Sequence, residues 1–315
     1  MAPDAPFPAL LFPGQGAQFE GMGRDWAEAF PTARRTFEEA DEVLGLPLTE
    51  LVWSGGEAVN RTDVAQPGIL ATSVAIVRVL VERGLQTERA PLTAGLSLGE
   101  YTALWMAGSL DFADALRLVR LRGEAMQAAS EEIPSGMASL TGADAAQAEA
   151  LAAVGAEAGI CQVANLNAPG QIVLSGEHAA LDAVEAAARE HGVRRVRRLV
   201  VAGGFHSECM RPAADRLSAA LADVEIRPPR VPVLSNVTAE PADGPDAIRD
   251  LLARQVCSPV LWERSMRRAL ADGVRTFLEP GPGTVLAGIL RRIDPDASVR
   301  SAATPADLGA AADGS

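Results

Sequence analysis

A serine flanked by two glycines is the first candidate for chemistry in this chain. Gly95, Ser97 and Gly99 form a G-x-S-x-G motif between an apolar stretch typical of a strand and a helical pattern. Glycines at these positions permit a sharp turn that exposes the serine at the end of the strand. The following helix would offer free N–H groups and its positive dipole end to a developing oxyanion. The motif in this context predicts that Ser97 is a nucleophile.

A nucleophilic serine needs a base, and the sequence has only three histidines. His178 lies near the start of a predicted helix and His191 near its end, and both positions have structural explanations. His206 lies in the bend Gly203-Gly204-Phe205-His206-Ser207, where glycines allow close approach of the backbone to another segment. His206 is therefore the predicted base. No Asp or Glu is identified as the group that orients it.

Strands and helices must alternate to position these two residues. The hydrophobic pattern predicts strands at residues 9–12, 92–96, 231–236 and 276–279. It predicts helices at residues 26–44, 68–82 and 247–255, and another directly after Ser97. Alternation of this kind indicates an α/β fold with a mainly parallel sheet. The Ala-, Asp- and Pro-rich tail after Ile293 is expected to be frayed.

A second pattern interrupts this alternation. Strands are predicted at residues 137–140, 161–165, 171–175 and 193–201, and helices at 145–158 and 178–190. Asn167-Ala168-Pro169-Gly170 forms a turn between the two middle strands. The order β-α-β-β-α-β is ferredoxin-like. We therefore predict a small inserted subdomain at 128–200, and a large domain made of 1–127 and 201–315.

Composition narrows the possible functions. The chain has 315 residues, is 48% hydrophobic and carries a formal charge of −13, which argues against nucleic acid as a partner. The N-terminus lacks the features of a secretory signal and no long apolar run is evident, so a cytoplasmic protein without a membrane span is expected. Three scattered cysteines match neither a disulfide framework nor a metal site, and reduced thiols are expected.

All 28 basic residues are arginine, because the sequence contains no lysine. Local clusters occur at Arg194, Arg195, Arg197 and Arg198, at Arg264, Arg267 and Arg268, and at Arg291 and Arg292. In an acidic chain such clusters could bind an acidic protein partner. Solvated faces are the alternative explanation, and the more common one for any single cluster.

Several segments, in this order, resemble malonyl-CoA:acyl carrier protein transacylases and the related acyltransferases of polyketide synthases. The matching segments span almost the whole chain: FPGQGAQ from Phe12, Gln66-Pro67, GLSLGEYTAL from Gly95, RLVRLRGEAMQ from Arg117, NLNAPGQ from Asn165, GGFHSECM from Gly203, RQVCSPVLW from Arg254 and EPGPGTVLAGIL from Glu279. The resemblance implies a hydrolase-like α/β core with an inserted ferredoxin-like subdomain.

The resemblance also implies roles for individual residues. Ser97 would carry the acyl group and His206 would be its base. The other implied roles are as follows: the backbone N–H groups of Gln15 and Leu98 form the oxyanion hole, Arg122 holds the malonyl carboxylate, Gln66, Phe205 and Asn167 complete the substrate site, and the backbone carbonyl of Gln255 orients His206. A guanidinium suits the carboxylate role because it pairs with a carboxylate through two hydrogen bonds.

The resemblance further implies an acyl carrier protein as partner and malonyl-CoA as donor. It implies no metal and no bound cofactor, since coenzyme A enters as part of the substrate. Nothing in the sequence requires more than a monomer. Phe205 and Leu98 resemble the residues of malonyl-selecting members. Leu96 departs from the histidine that many members have before the serine, and a leucine supplies no hydrogen bond there.

Other functions are compatible with the same residues. A serine hydrolase or thioesterase would use the same Ser97 and His206, with water in place of the carrier thiol. A transferase for another extender or for a carrier-bound acyl group would keep the chemistry and change the cargo. A non-catalytic docking domain is disfavoured because Ser97, His206 and Arg122 are all present. The motifs do not separate fatty acid from polyketide synthesis.

Overall fold

The computed structural model describes residues 7–308. Within that range nine strands form two sheets: β1 Ala9–Phe12, β2 Thr93–Gly95, β3 Ser135–Thr141, β4 Cys161–Ala168, β5 Gln171–Glu177, β6 Arg195–Arg198, β7 Val233–Leu234, β8 Thr276–Pro280 and β9 Ser298–Ala302. The α-helices are α1 Arg24–Ala29, α2 Pro31–Leu44, α3 Leu48–Ser54, α4 Thr62–Glu82, α5 Gly99–Met106, α6 Phe112–Glu132, α7 Ala145–Ala156, α8 His178–Ala187, α9 Arg211–Ala222, α10 Pro245–Gln255, α11 Trp262–Ala271 and α12 Val285–Ile293. Short 3-10 turns lie at Gly56–Asn60, Thr87–Arg89 and Glu208–Met210.

The larger sheet is parallel throughout, in the order β7-β2-β1-β8-β9. Its centre, β1, is the apolar run Ala-Leu-Leu-Phe, and all four side chains are fully buried. Runs of this kind are typical of parallel strands covered by helices on both faces. The predicted α/β core with a mainly parallel sheet is confirmed. Ser97 lies two residues after the last residue of β2, beyond the carboxyl end of that strand.

The smaller sheet is antiparallel, in the order β4-β5-β3-β6. Helices α7 and α8 pack on it and share a separate apolar core with its strands. Chain order and strand order together form the ferredoxin-like subdomain that was predicted. The predicted boundary at residue 128 falls inside α6, which continues to Glu132 and packs against α4 and α9 of the larger part.

Two predicted helices differ from the structure by more than a few residues, and proline explains both differences. The helix predicted at 26–44 is divided because Phe30 is extended and Pro31 begins α2. Conversely, α4 starts six residues before the predicted start and includes Pro67. A proline inside a helix leaves the carbonyl four residues earlier without its N–H partner. Arg120 supplies a donor, since its guanidinium hydrogen-bonds to the Asp63 carbonyl at 2.6 Å.

The prediction that the tail frays after Ile293 is wrong for residues 298–302. These residues form β9, which pairs in parallel with the whole of β8. The indole N–H of Trp26 also donates to the Ala303 carbonyl at 3.0 Å. This short edge strand, Ser-Val-Arg-Ser-Ala, has little hydrophobic pattern of its own, so only its pairing with β8 defines it. Residues 309–315 of the predicted frayed tail lie outside the described residues.

Helix α4 is long and apolar enough to cross a membrane by length and composition alone. In the folded chain, however, 89% of its apolar window is buried. Its side chains pack against α2, α3 and α6. The apolar character of α4 is therefore explained by its place in the core.

Candidate active site

Ser97 lies in a strained turn between β2 and α5. Its φ angle is +52°, in the left-handed region that side-chain-bearing residues seldom adopt. The flanking glycines allow the turn to pack closely: a Cβ on Gly95 would lie 1.9 Å from the Gly99 backbone, and one on Gly99 would lie 2.2 Å from the Phe12 carbonyl oxygen. The predicted strand–turn–helix context of the serine is present.

Adding a methyl group at Gly99 should therefore destabilise the fold. We expect Gly99→Ala to lower the free energy of unfolding by about 3 kcal/mol or more, because backbone atoms cannot move aside as a side chain can. Gly288→Ala is the matched control, since outside the local backbone of α12 no atom lies within 4 Å of the added Cβ. It should raise stability by about 0.5–1 kcal/mol through helix propensity. Urea denaturation measures both, and equal effects of the two substitutions would contradict the steric explanation.

His206 is held in a second tight bend, with φ +60° and only 4% of its surface exposed. A Cβ on Gly203 would lie 2.2 Å from the Ser130 hydroxyl, so this glycine is required for the bend to pack against α6. The Gly204 N–H donates to the Ser135 hydroxyl at 2.9 Å. Gly203 and Gly204, on which the prediction of His206 depended, therefore do allow the backbone to pack closely against Ser130 and Ser135.

The structure brings Ser97 and His206 together. Ser97 Oγ lies 2.7 Å from His206 Nε2, and His206 Nδ1 lies 2.8 Å from the Gln255 carbonyl oxygen. A carbonyl only accepts, so Nδ1 carries the proton and Nε2 presents its lone pair to the serine hydroxyl. Burial, together with the nearby Arg122 guanidinium, lowers the pKa of His206 to about 4. The imidazole is therefore neutral near pH 7 and can accept a proton.

Arg122 is buried beside this pair, with 1% of its surface exposed. Its guanidinium donates to Ser97 Oγ at 3.1 Å, to Gln66 Oε1 at 2.8 Å and to Gln255 Oε1 at 3.0 Å. Burial lowers the pKa of Arg122, although an arginine still carries its charge at neutral pH. No carboxylate within residues 7–308 forms an ion pair with it, although Glu100 is near enough to interact with its charge, and its Nε has no hydrogen-bond partner there. A buried cation that no carboxylate contacts directly is suited to bind an anion.

The two oxyanion-hole candidates lie close to the serine. Gln15 lines the same cavity as Ser97, and Leu98 follows the serine at the N-terminus of α5. Neither backbone N–H donates to another residue within the described range. The Ser97 N–H, by contrast, is already used, because it donates to Asn236 Oδ1 at 2.6 Å. Two free N–H groups near the serine can therefore receive an oxyanion.

A cavity of 520 Å³ opens between the large sheet and the small subdomain, and Ser97, Arg122 and His206 reach it. Phe205 and Asn167 line it, as the predictions for the substrate site require, and Asn167 Oδ1 is buried without a hydrogen-bond partner. The prediction that Gln66 lines the cavity is not met. Gln66 is fully buried behind Arg122 and holds its guanidinium instead.

Leu96 and Leu98 flank the serine in different surroundings. Leu96 lines the cavity and packs partly against an apolar cluster. Leu98 is fully buried in the main core, so its side chain does not face the cavity. In this chain an apolar wall replaces the histidine that many members of the resembled family carry at residue 96.

Two further side chains support the serine turn, and neither was identified from the sequence. Asn236 accepts from Ser97 N and donates to the Gly95 carbonyl at 2.7 Å. Glu100, on the first turn of α5, accepts from Gln255 Nε2 at 2.7 Å, and burial raises its pKa to about 7. Asn236 follows β7, which neighbours β2, so sheet order was the signal that could have found it. Glu100 is part of the GLSLGE segment.

The remaining histidines and cysteines lie elsewhere. His178 begins α8 and His191 lies in the turn after it, and neither lines the cavity. The three cysteines are free thiols and all are buried. No group of three or more His, Cys, Asp or Glu residues within residues 7–308 is placed to hold a metal ion.

Comparison with known proteins agrees with this arrangement. Residues 9–304 match the acyl transferase domain family. The malonyl CoA-acyl carrier protein transacylase of Bacillus subtilis is 43% identical over 291 residues, which cover 91% of this chain and 90% of that protein. The acyl-carrier-protein-S-malonyltransferase structure from Bartonella henselae has a TM-score of 0.93 at 40% identity, covering 97% of this chain and 98% of that one.

A malonyl-transacylase solved in complex with its type II PKS acyl-carrier protein is also similar. Its TM-score is 0.92 at 40% identity, with coverage of 97% of this chain and 98% of that one. Both the fold and almost the full length are therefore shared with these proteins. The chain belongs to the acyl transferase domain family.

Proposed function

We propose that this protein transfers a malonyl group from malonyl-CoA to the phosphopantetheine thiol of an acyl carrier protein, supplying fatty acid or polyketide synthesis. The observation that carries the proposal is the buried Arg122 guanidinium, which lies 3.1 Å from Ser97 Oγ and forms no ion pair with a carboxylate of the described chain. A malonyl group on Ser97 would place its free carboxylate near this cation. A general esterase has no need of a buried cation at that position.

The first half-reaction follows from the Ser97–His206 contact. Ser97 Oγ attacks the thioester carbonyl while His206 Nε2 takes the hydroxyl proton. The oxyanion that forms would accept hydrogen bonds from the Gln15 and Leu98 N–H groups. As the C–S bond breaks, the His206 proton passes to the departing thiolate of coenzyme A. The products are malonyl-Ser97 and free coenzyme A.

The second half-reaction runs in the reverse direction with a different thiol. The carrier's pantetheine thiol gives its proton to His206 Nε2 and attacks the acyl-serine carbonyl. The ester bond then breaks, and the Ser97 alkoxide recovers the proton from His206. No metal or bound cofactor takes part in either half. The Gln255 carbonyl keeps the His206 ring oriented throughout, because Nδ1–H donates to it.

Intact mass spectrometry tests this proposal directly. The protein is incubated separately with malonyl-CoA, methylmalonyl-CoA and acetyl-CoA, and the acyl-enzyme is then chased with a holo acyl carrier protein. We expect a malonyl adduct that moves to the carrier thiol, with less adduct from the other two donors. Loss of the adduct to water without carrier acylation would favour a thioesterase. Absence of any adduct on folded protein would contradict the proposal.

The low pKa of His206 predicts an unusual pH profile. A histidine with pKa about 4 stays neutral down to that pH. The value of kcat/KM for acylation should therefore fall near pH 4, and not near pH 6.5 as for an ordinary histidine base. Initial rates of acylation measured between pH 3.5 and 8 give the acid limb of the profile, which is the pH range over which kcat/KM falls. Circular dichroism at each pH confirms that the protein is folded. His191→Gln is the control and should leave the limb unchanged, since His191 lies outside the cavity. An acid limb at pH 6–7 would contradict this prediction.

We further propose that the protein works in the cytoplasm as a monomer without a bound cofactor, with the small subdomain extending from the end of α6 to about residue 200. Three buried free thiols are consistent with a reducing compartment. Light scattering should return a mass close to 32.8 kDa, and a mass twice as large would contradict the monomer.

A further inference from the structure

A buried carboxyl group outside the Ser97–His206 pair is linked to it through one intermediate side chain. Glu100 is 3% exposed and belongs to the first turn of α5. Its Oε2 accepts two hydrogen bonds, from Gln255 Nε2 at 2.7 Å and from the Asn236 N–H at 3.1 Å. Burying a carboxyl group is costly, and a helix packed into the core could hold an apolar residue there. Packing alone therefore does not explain a carboxyl group at residue 100, and its hydrogen bonds indicate another role.

Glu100 is one of the two acceptors that set the direction of the Gln255 carboxamide. Gln255 Nε2 contacts two acceptors, Glu100 Oε2 and the Ser97 carbonyl at 2.9 Å. With the NH₂ group committed to these acceptors, Oε1 must face the opposite side. There it accepts from Arg122 at 3.0 Å. If the carboxamide were reversed, its NH₂ group would face the Arg122 donors, and two acceptors would lose their partner.

The intermediate carboxamide keeps Arg122 available to a substrate. A carboxylate in direct contact with the guanidinium would occupy the same donors that a malonyl carboxylate needs. Gln255 instead presents a neutral oxygen to Arg122, while Gln66 Oε1 holds the other terminal nitrogen at 2.8 Å. The guanidinium is therefore oriented from two sides without being neutralised.

We propose that Glu100 is a positioning residue for acyl selection: it orients the Gln255 carboxamide, which in turn holds Arg122 toward the acyl group on Ser97. This inference rests on the proposed function, because it assigns the selected group as a carboxylate. Glu100 touches neither substrate nor the reacting atoms, and its effect is transmitted through Gln255. The required property of residue 100 is a hydrogen-bond acceptor at the position of Oε2.

The test compares two donors in one variant. Glu100→Met has a similar length and no comparable acceptor. We measure kcat/KM for acylation of Ser97 by malonyl-CoA and by acetyl-CoA, which has no carboxylate to reach Arg122. The malonyl-to-acetyl ratio of kcat/KM should fall about 10- to 100-fold, since a misplacement of about 1 Å in a positioning group costs up to about 10²-fold. A purely structural role would lower both reactions by the same factor.

Two further variants control the interpretation. Glu100→Gln keeps a carbonyl oxygen able to accept both N–H groups, so it should keep the wild-type ratio within about threefold. In an Arg122→Ala background, Glu100→Met should no longer change the ratio, because its effect passes through Arg122. If Glu100→Met does not fold, Gln255→Met replaces it: this change keeps the backbone carbonyl bonded to His206 and should lower the ratio in the same way.

The outcomes separate the two proposals. A wild-type protein that forms no malonyl adduct contradicts the proposed function. A wild-type adduct with an unchanged ratio in folded Glu100→Met contradicts the positioning role alone. A ratio lost equally in Glu100→Gln and Glu100→Met would also overturn it, since charge rather than an acceptor would then be the requirement.

Discussion

Replacing Ser97 with alanine is expected to abolish formation of the acyl-enzyme and to lower transfer to the carrier by about 10⁴-fold or more. The alanine methyl group cannot attack a carbonyl, and it has no proton to give to His206 Nε2, which lies 2.7 Å from Ser97 Oγ in the wild type. The expected readout is the loss of the malonyl adduct in intact mass spectrometry and of carrier acylation in a coupled assay.

Ser218→Ala is the matched control for this substitution. Ser218 is exposed on α9, so the same loss of one hydroxyl should change neither adduct formation nor stability beyond about 0.5 kcal/mol. Both variants should unfold within a few degrees of wild type. A malonyl adduct that persists in Ser97→Ala on another residue would exclude Ser97 as the nucleophile.

Replacing Arg122 with alanine should change the preferred acyl group rather than remove the chemistry. Removing one partner of a buried ion pair costs about 3–5 kcal/mol, so kcat/KM for malonyl-CoA should fall roughly 10²- to 10⁴-fold. Acetyl-CoA has no carboxylate to lose, and its acylation rate should fall much less. Loss of the Arg122 charge should also raise the pKa of His206, which that charge lowers.

Arg117→Ala is the control on the same helix. Arg117 is 60% exposed and pairs with Asp114, one helical turn earlier, so its removal should leave the malonyl-to-acetyl ratio unchanged. Rates with both donors, measured side by side, decide the point. If Arg122→Ala lowered the two donors equally, the guanidinium would serve the reaction in general and not the recognition of a carboxylate.

The two largest predictions differ in what the sequence could support. Ser97 and His206 followed from residue types, glycine spacing and the small number of histidines. Arg122 followed only from the resemblance, since a lone arginine within a helical pattern has many explanations. Its buried position beside Ser97, with no ion pair to a carboxylate in residues 7–308, gives that assignment a physical basis.

Regular patterns of the chain predicted the fold class, the parallel and antiparallel sheets, and the serine turn. Such patterns are local, because apolar periodicity and glycine spacing involve residues that are close together in the chain. The sequence therefore determined the elements and two of the groups that meet at the site. It did not predict β9 or the early start of α4, because each depends on a distant partner, β8 in one case and Arg120 in the other.

Only the tertiary structure decided how the site is supported. Glu100 belongs to α5, Asn236 follows β7 and Gln255 ends α10. These three residues meet because their segments converge around Ser97. Tertiary packing also placed Gln66 behind Arg122 instead of in the cavity wall. A hydrogen bond between residues more than a hundred positions apart leaves no periodic trace in the chain. The sequence determined which groups can do the chemistry. The packing of distant segments determined their hydrogen-bond partners and their protonation states.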